Sequence, residues 1–282
     1  MHDSWRTNRL FVLPMALVAT LFVALPLIYV VGLSFLSRGE DGYTITLIFT
    51  MENYQRLLSP AYARVFFNSL ALAFWTTLIS FLIGYPFGYC MARASARMRT
   101  LLMLLVIVPF WTNALVRIYG WKILLQANGP INAFLQFIGV IDQPIKMAGS
   151  YFAVLLAMVY SLIPFMILPC YSSVEKVDWS YVEASRDLGA GPARAFLTVT
   201  FPLTLPGVMA GCVLVFVPSV GLFFVSDLMG GSLVLVGNLI RDQLLKSRDW
   251  PFGAALSVVL MAVTIVIFGF YRRSGGDELG VF

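Results

Sequence analysis

Few side chains in this sequence can do chemistry, and those that can are set among apolar residues. Asp227 follows the run "GLFFVS", and Asp249 and Trp250 stand just before another apolar run. Trp111, Tyr119 and Trp121 share a third run, while Tyr85 and Tyr160 lie inside two more. Carboxylates beside aromatic faces suit an organic cation, because the acid takes the ammonium hydrogens and the ring takes charge and methylenes. Taken singly, each Trp or Tyr also fits an interfacial aromatic belt, and Asp249 also fits an acid at a helix start. Other chemistry is poorly supplied. His2 is the sole histidine, and Cys90, Cys170 and Cys212 are dispersed in apolar runs. His-based catalysis and His-based metal sites are therefore excluded, the cysteines show no disulfide framework or CxxC, and no catalytic or metal-binding residue is assigned. The phosphate-binding pattern G-x-x-x-x-G-K-[ST] is missing, so no cofactor is expected on this chain.

The elements that must position these residues belong to a membrane. The chain has 282 residues, 60% of them hydrophobic and 12% charged, with a mean hydropathy of +0.86. A soluble domain carries about 25% charged residues. The net charge of +5 comes from basic residues scattered through loops, which argues against nucleic acid. Spans of roughly 20 apolar residues are expected, and six fit: about 10–36, 65–92, 101–125, 151–171, 206–226 and 252–271. The first is too long for a signal-peptide core and is read as a retained helix. The short connection 93–99 holds Arg93, Arg97 and Arg99, which makes it cytoplasmic. Both termini and the loop 172–205 then face the cytoplasm too.

An all-α, polytopic fold of six transmembrane helices in one domain, residues 1–282, is expected. Gly84 with Gly88 and Gly207 with Gly211 form G-x-x-x-G pairs that let helices approach closely. Pro86, Pro109, Pro164, Pro169 and Pro218 should bend their helices. Asp227 falls near the outer end of the fifth span, where an intramembrane acid is a functional candidate. Arg117 lies at comparable depth in the third. It could snorkel to headgroups, pair with Asp227 or face away.

The loop at about 173–205 is ordered for a connector. Ser180-Tyr-Val-Glu183 fits a capping box, and Glu183 and Asp187 share a face near the helix start, where acids suit the dipole. Gly189 and Gly191 should end this helix, Pro192 should open another, and Pro202 and Pro206 should break it from the next span.

The spacing Glu183-Ala184-Ser185, three residues, Gly189, nine residues, Val199, one residue, Phe201-Pro202 resembles the cytoplasmic loop signature of ABC importer permeases. Ser185, Val199 and Phe201 depart from that pattern. The segments "VPFWTNALVRIYGWKILL" (108–125), "YSSVEKVDWSYVEASRDLGA" (171–190), "GLFFVSDLMGG" (221–231) and "RDWPFGAALS" (248–257) are similar to B-type permeases of spermidine/putrescine importers. The resemblance implies a coupling helix, carried by Glu183, Ala184, Asp187, Gly189 and Pro202, that docks on a cytoplasmic ATPase. It also implies a second, related permease forming a heterodimer, two copies of that ATPase using ATP and Mg, and an extracytoplasmic polyamine-binding protein. The chain would then be a transport subunit of the bacterial inner membrane, not an enzyme. It would pass polyamines inward past Asp227, Trp111, Tyr85, Tyr160, Tyr119, Asp249 and Trp250. Another small organic cation on the same machinery, or a secondary transporter driven by an ion gradient, is the alternative.

Overall fold

The computed structural model describes residues 14–273 apart from 40, 43 and 232, with side chains described as far as 269. The first residues of the first expected span and the C-terminal tail lie outside the described residues. The chain divides into two compact units. One takes the residues up to Arg64 with Leu239–Val263, and the other takes Val65–Asn238 with those from Thr264 on.

The smaller unit begins with α1 (Pro14–Ser34). A hairpin of β1 (Leu36–Arg38) and β2 (Ile45–Phe49) follows, with a bulge between Leu36 and Ser37. This hairpin is an addition to the all-α expectation. The short helix α2 (Glu52–Leu57) is tied to the end of α1. Buried Asn53 donates to the carbonyls of Ser34 and Leu36 at 3.0 and 2.9 Å, and Phe35 stacks on Phe49 at 5.0 Å. Helix α3 (Pro60–Arg93) starts in this unit and continues in the other.

In the larger unit, α4 (Ala96–Ile107) runs through a 3-10 turn to Trp111. It is followed by α5 (Ala114–Leu124), α6 (Pro130–Phe137), α7 (Tyr151–Glu175) and α8 (Ser180–Asp187). Next come α9 (Pro192–Gly221), α10 (Phe223–Met229) and α11 (Val236–Leu245), which ends in the smaller unit. The last helix, α12 (Trp250–Arg273), starts in the smaller unit. Five described helices are long and apolar enough to cross a membrane, or six if one bent pair counts as a span.

That bent pair corrects the third expected span. Residues 101–125 are not one helix, because Ala96–Trp111 and Ala114–Leu124 meet at 96°. Pro109 brings no N–H, and Asn113 starts a new helix by accepting from the Leu115 N–H at 2.8 Å. The fifth span also differs. Pro202 and Pro206 do not separate a short helix from it, since Pro192–Gly221 is continuous. A π-helical turn at Phe196–Thr200 precedes Pro202, just as one at Thr20–Ala24 precedes Pro26. A proline ring crowds the carbonyl four residues back, and the wider turn relieves it without breaking the rod. The helix then ends earlier than expected, at Gly221, so Asp227 sits on the separate α10.

Helix α7 organises the larger unit: 50% of its most apolar stretch is buried, against 28% in α3 and 39% in α9. Both glycine pairs face it. A methyl on Gly84 would fall 2.8 Å from Met166 Cγ, and one on Gly88 would fall 3.1 Å from the Ile167 carbonyl. On the other side, Gly207 abuts Ser173 and the Pro169 carbonyl, and Gly211 abuts Met166. Gly207→Ala should therefore destabilise the protein by about 1–3 kcal/mol through overpacking. Gly120→Ala, where a methyl meets nothing within 4 Å, should leave thermal unfolding in detergent unchanged.

Candidate functional site

The loop between α7 and α9 is built from caps rather than from a core. The capping box does not form: Ser180 makes no side-chain cap, and Asp178 Oδ1 accepts from the Ser180 N–H at 3.0 Å. A two-residue step from Asp suffices to turn the chain, so the preceding acid takes the place of the serine. This bond, and a further interaction with the Ser180 side chain, hold the Asp178 carboxyl below its usual range. At the other end of α8, Gly189 has φ +86°. Its N–H reaches the Arg186 carbonyl at 2.8 Å and the Ala190 N–H reaches Ser185 at 3.0 Å, a Schellman ending. Gly191 is extended and Pro192 opens α9.

Of the expected coupling residues, Glu183, Ala184, Asp187 and Gly189 are all exposed, and only Val182 in α8 is buried. Pro202 lies elsewhere, inside α9 beyond the π turn. The structure adds two residues to this surface. Tyr181 is 59% exposed and Leu188 is 90% exposed. Tyr181 and Ala184, three apart, share one face of α8, and Leu188, four further on, is the C-cap residue just past its end. Their apolar character in a loop read from the sequence as cytoplasmic was the available signal. Behind α8 a cavity of about 90 Å³ is lined by Tyr89, Arg93, Trp179, Glu183, Arg186 and Phe196, among others. Nearby, Arg99 Nη1 binds Glu175 Oε1 at 2.7 Å and ties the start of α4 to the end of α7.

The proposed pathway residues separate. Asp227 is exposed on α10 and accepts from Asn238 Nδ2 at 2.6 Å. Buried Asn238 also donates to the Phe223 carbonyl and accepts from the Leu235 N–H and the Ser226 hydroxyl. It holds α10 at its break from α9 and aims the acid, a role the sequence did not suggest. Trp111 and Tyr119 are exposed, at 79% and 49%. Tyr160 packs edge-on against Trp121 at 5.5 Å. Arg117 turns back on the broken span, donating to the Pro109 carbonyl at 3.0 Å and lying 4.8 Å over Phe110. Tyr85 is buried, and its hydroxyl donates to Thr204 Oγ1 at 2.9 Å, since Thr204 spends its own proton on the Thr200 carbonyl.

Asp249 and Trp250 belong to the smaller unit. Asp249 is 1% exposed. Its Oδ2 binds Arg56 at 2.9 Å and its Oδ1 accepts from the Phe252 N–H at 3.2 Å, so one oxygen caps the start of α12 and the other is paired with α2. Trp250 is 46% exposed. Among the described residues, no group of three or more His, Cys, Asp or Glu is placed to hold a metal ion.

The family described as the binding-protein-dependent transport system inner membrane component matches residues 84–275. The chain belongs to this family. Similarity to individual permeases is extensive. The chain is 48% identical over 255 residues to the spermidine/putrescine transport system permease protein PotB of Escherichia coli (strain K12), covering 90% of this chain and 92% of that protein. The corresponding Haemophilus influenzae permease is 47% identical over 258 residues, with 90% and 89% covered. A bacterial ABC transporter that imports alginate shares the fold, with a TM-score of 0.74 at 15% identity over 97% of this chain and 96% of that one. The permease is thus a multi-pass inner-membrane protein.

The corner of this permease's loop between α7 and α9 depends on one dihedral. Gly189→Ala meets no neighbour within 4 Å, so its cost is backbone strain alone, about 1–2 kcal/mol. Amide exchange at residues 185–190 should speed up accordingly, with the spanning helices unaffected. The Asp178 cap is a depressed-pKa contact, so it is complete above the ordinary carboxylate pKa of about 4 and lost as pH falls through the lower folded value. Protection at Ser180 should follow that direction, and Asp178→Asn should remove the pH dependence.

Proposed function

We propose that the permease is the membrane subunit of an ATP-driven importer that moves polyamines, spermidine or putrescine, into the cytoplasm by alternating access. The observation that carries this is 48% identity over nine-tenths of the chain to a spermidine/putrescine permease. The chain would pair with a second, related permease, take substrate from an extracytoplasmic polyamine-binding protein, and rest on two copies of a cytoplasmic ATPase. ATP and Mg act on that partner. The N- and C-termini and α8 lie on the cytoplasmic side, with Arg93, Arg97 and Arg99.

In this reading Tyr181, Ala184 and Leu188 enter a groove of the ATPase, with Glu183 and Asp187 at its rim. The small side chain at 184 allows close approach. Closure of the ATPase pair moves α8, and rigid spans follow it. On the other side of the membrane, Asp227 offers a carboxylate to a passing ammonium, with Trp111, Tyr119 and Tyr160 on the same unit supplying faces for the methylenes. Asp249 and Trp250 belong to the other unit, and the Asp249 carboxylate is engaged by Arg56.

Uptake by the reconstituted complex tests both ends. Asp227→Asn should slow polyamine uptake about tenfold, the loss of one charge-assisted contact, with basal ATP hydrolysis unchanged. Unchanged uptake would exclude Asp227 from the path. Leu188→Asp should leave membrane insertion intact and strip the ATPase from the purified complex. Retention of the ATPase and of transport would show that this face does not dock it.

A further inference from the structure

We infer that Trp179 is the joint through which movement of α8 reaches the membrane-spanning helices, as a positioning residue rather than a docking one. The inference rests on the importer reading and extends it to how force leaves the loop. Trp179 stands just before α8 and is half-buried. The guanidinium carbon of Arg93, the last residue of α3, lies 4.2 Å from its ring centroid. Tyr89, one turn earlier on α3, meets the same ring edge-on at 6.2 Å.

From there the rings continue. Tyr89 packs edge-on against Phe196, in the π turn of α9, at 6.0 Å. Phe196 meets Tyr85 at 6.1 Å, and Tyr85 meets Phe201 at 5.8 Å. The hydroxyl of Tyr85 then holds Thr204 of α9. Aromatic contacts thus alternate between α3 and α9, beginning at the loop and ending inside the bundle. Each ring has two torsions and a preferred edge-to-face angle, so a displaced ring moves its neighbour instead of reshaping. The covalent route onward from α8 runs through Gly189, Ala190 and Gly191, a backbone less able to transmit a push. The load therefore passes through the side chains, and Trp179 is their first member.

Spatial continuity alone does not show coupling, so the test reads coupling directly. The complete importer is reconstituted with saturating liganded binding protein, and polyamine transported per ATP hydrolysed is measured. Trp179→Leu should lower that ratio about fivefold, while the ATPase still co-purifies and hydrolysis stays within about twofold of the parent. Trp179→Phe, which keeps a ring, should restore most of the ratio, and Arg93→Gln should fall between the two. An unchanged ratio in Trp179→Leu overturns the inference. So does a parallel loss of transport, hydrolysis and bound ATPase, because Trp179 would then serve folding or docking. A parent complex that hydrolyses ATP without moving polyamine overturns the importer reading, and the joint with it.

Discussion

Apolar helices gain little by hiding from a lipid that is as apolar as they are, so contact distance must hold the bundle together. In this permease that contact is the approach of α3 and α9 to α7 across four glycines. Gly84 and Gly88 bring one helix against Met166, Ile167 and the Tyr171 backbone, and Gly207 and Gly211 bring the other against Pro169, Ser173 and Met166. The rest of the larger unit hangs on α7. Toward its start, Val154, Ala157 and Met158 pack with Ile118 of α5 and with Val225 and Met229 of α10. Toward its end, Glu175 holds Arg99. One helix thus sets both the segment bearing Asp227 and the loop bearing α8.

The chain departs from simple spans only where the freed backbone finds partners, as a bilayer requires. At the bend after α4, the Pro109 carbonyl takes the Thr112 hydroxyl at 2.7 Å and Arg117 at 3.0 Å. At the break after α9, Asn238 serves the Phe223 carbonyl and the Leu235 N–H. Arg117 and Asn238 are polar residues in apolar surroundings for the same reason: each satisfies a bend. Gly237 allows the second, since a side chain there would strike the Gly221 carbonyl.

This explains what was legible in the sequence. The spans, the glycine pairs, the Gly189 corner and the Pro192 start follow from local rules that name both residue and geometry. The bend at 109–113 was hidden because hydropathy measures how apolar a run is and not its direction, although Asn113 carried a capping signal. The capping box failed because two acceptors, Asp178 and Ser180, competed for one helix start. Tyr85 and Asp249 were ambiguous for a deeper reason. A polar group in an apolar run must bind something, and sequence cannot say whether that is substrate, Thr204 or Arg56.

The exposed face of α8 carries a further implication. An eight-residue helix is too short to persist in water by itself, and α8 buries only Val182 within its length. Its order comes from both ends, through the Asp178 turn and the Gly189 ending. A segment stabilised this way has no need of Leu188 or Tyr181 for its own fold, yet it presents both to the outside at 90% and 59% exposure. Exposed apolar residues on a loop cost solubility and return nothing until a partner covers them. On the importer reading, the caps would keep the helix formed in advance, so that a docking partner gains the apolar contact without having to order the segment first.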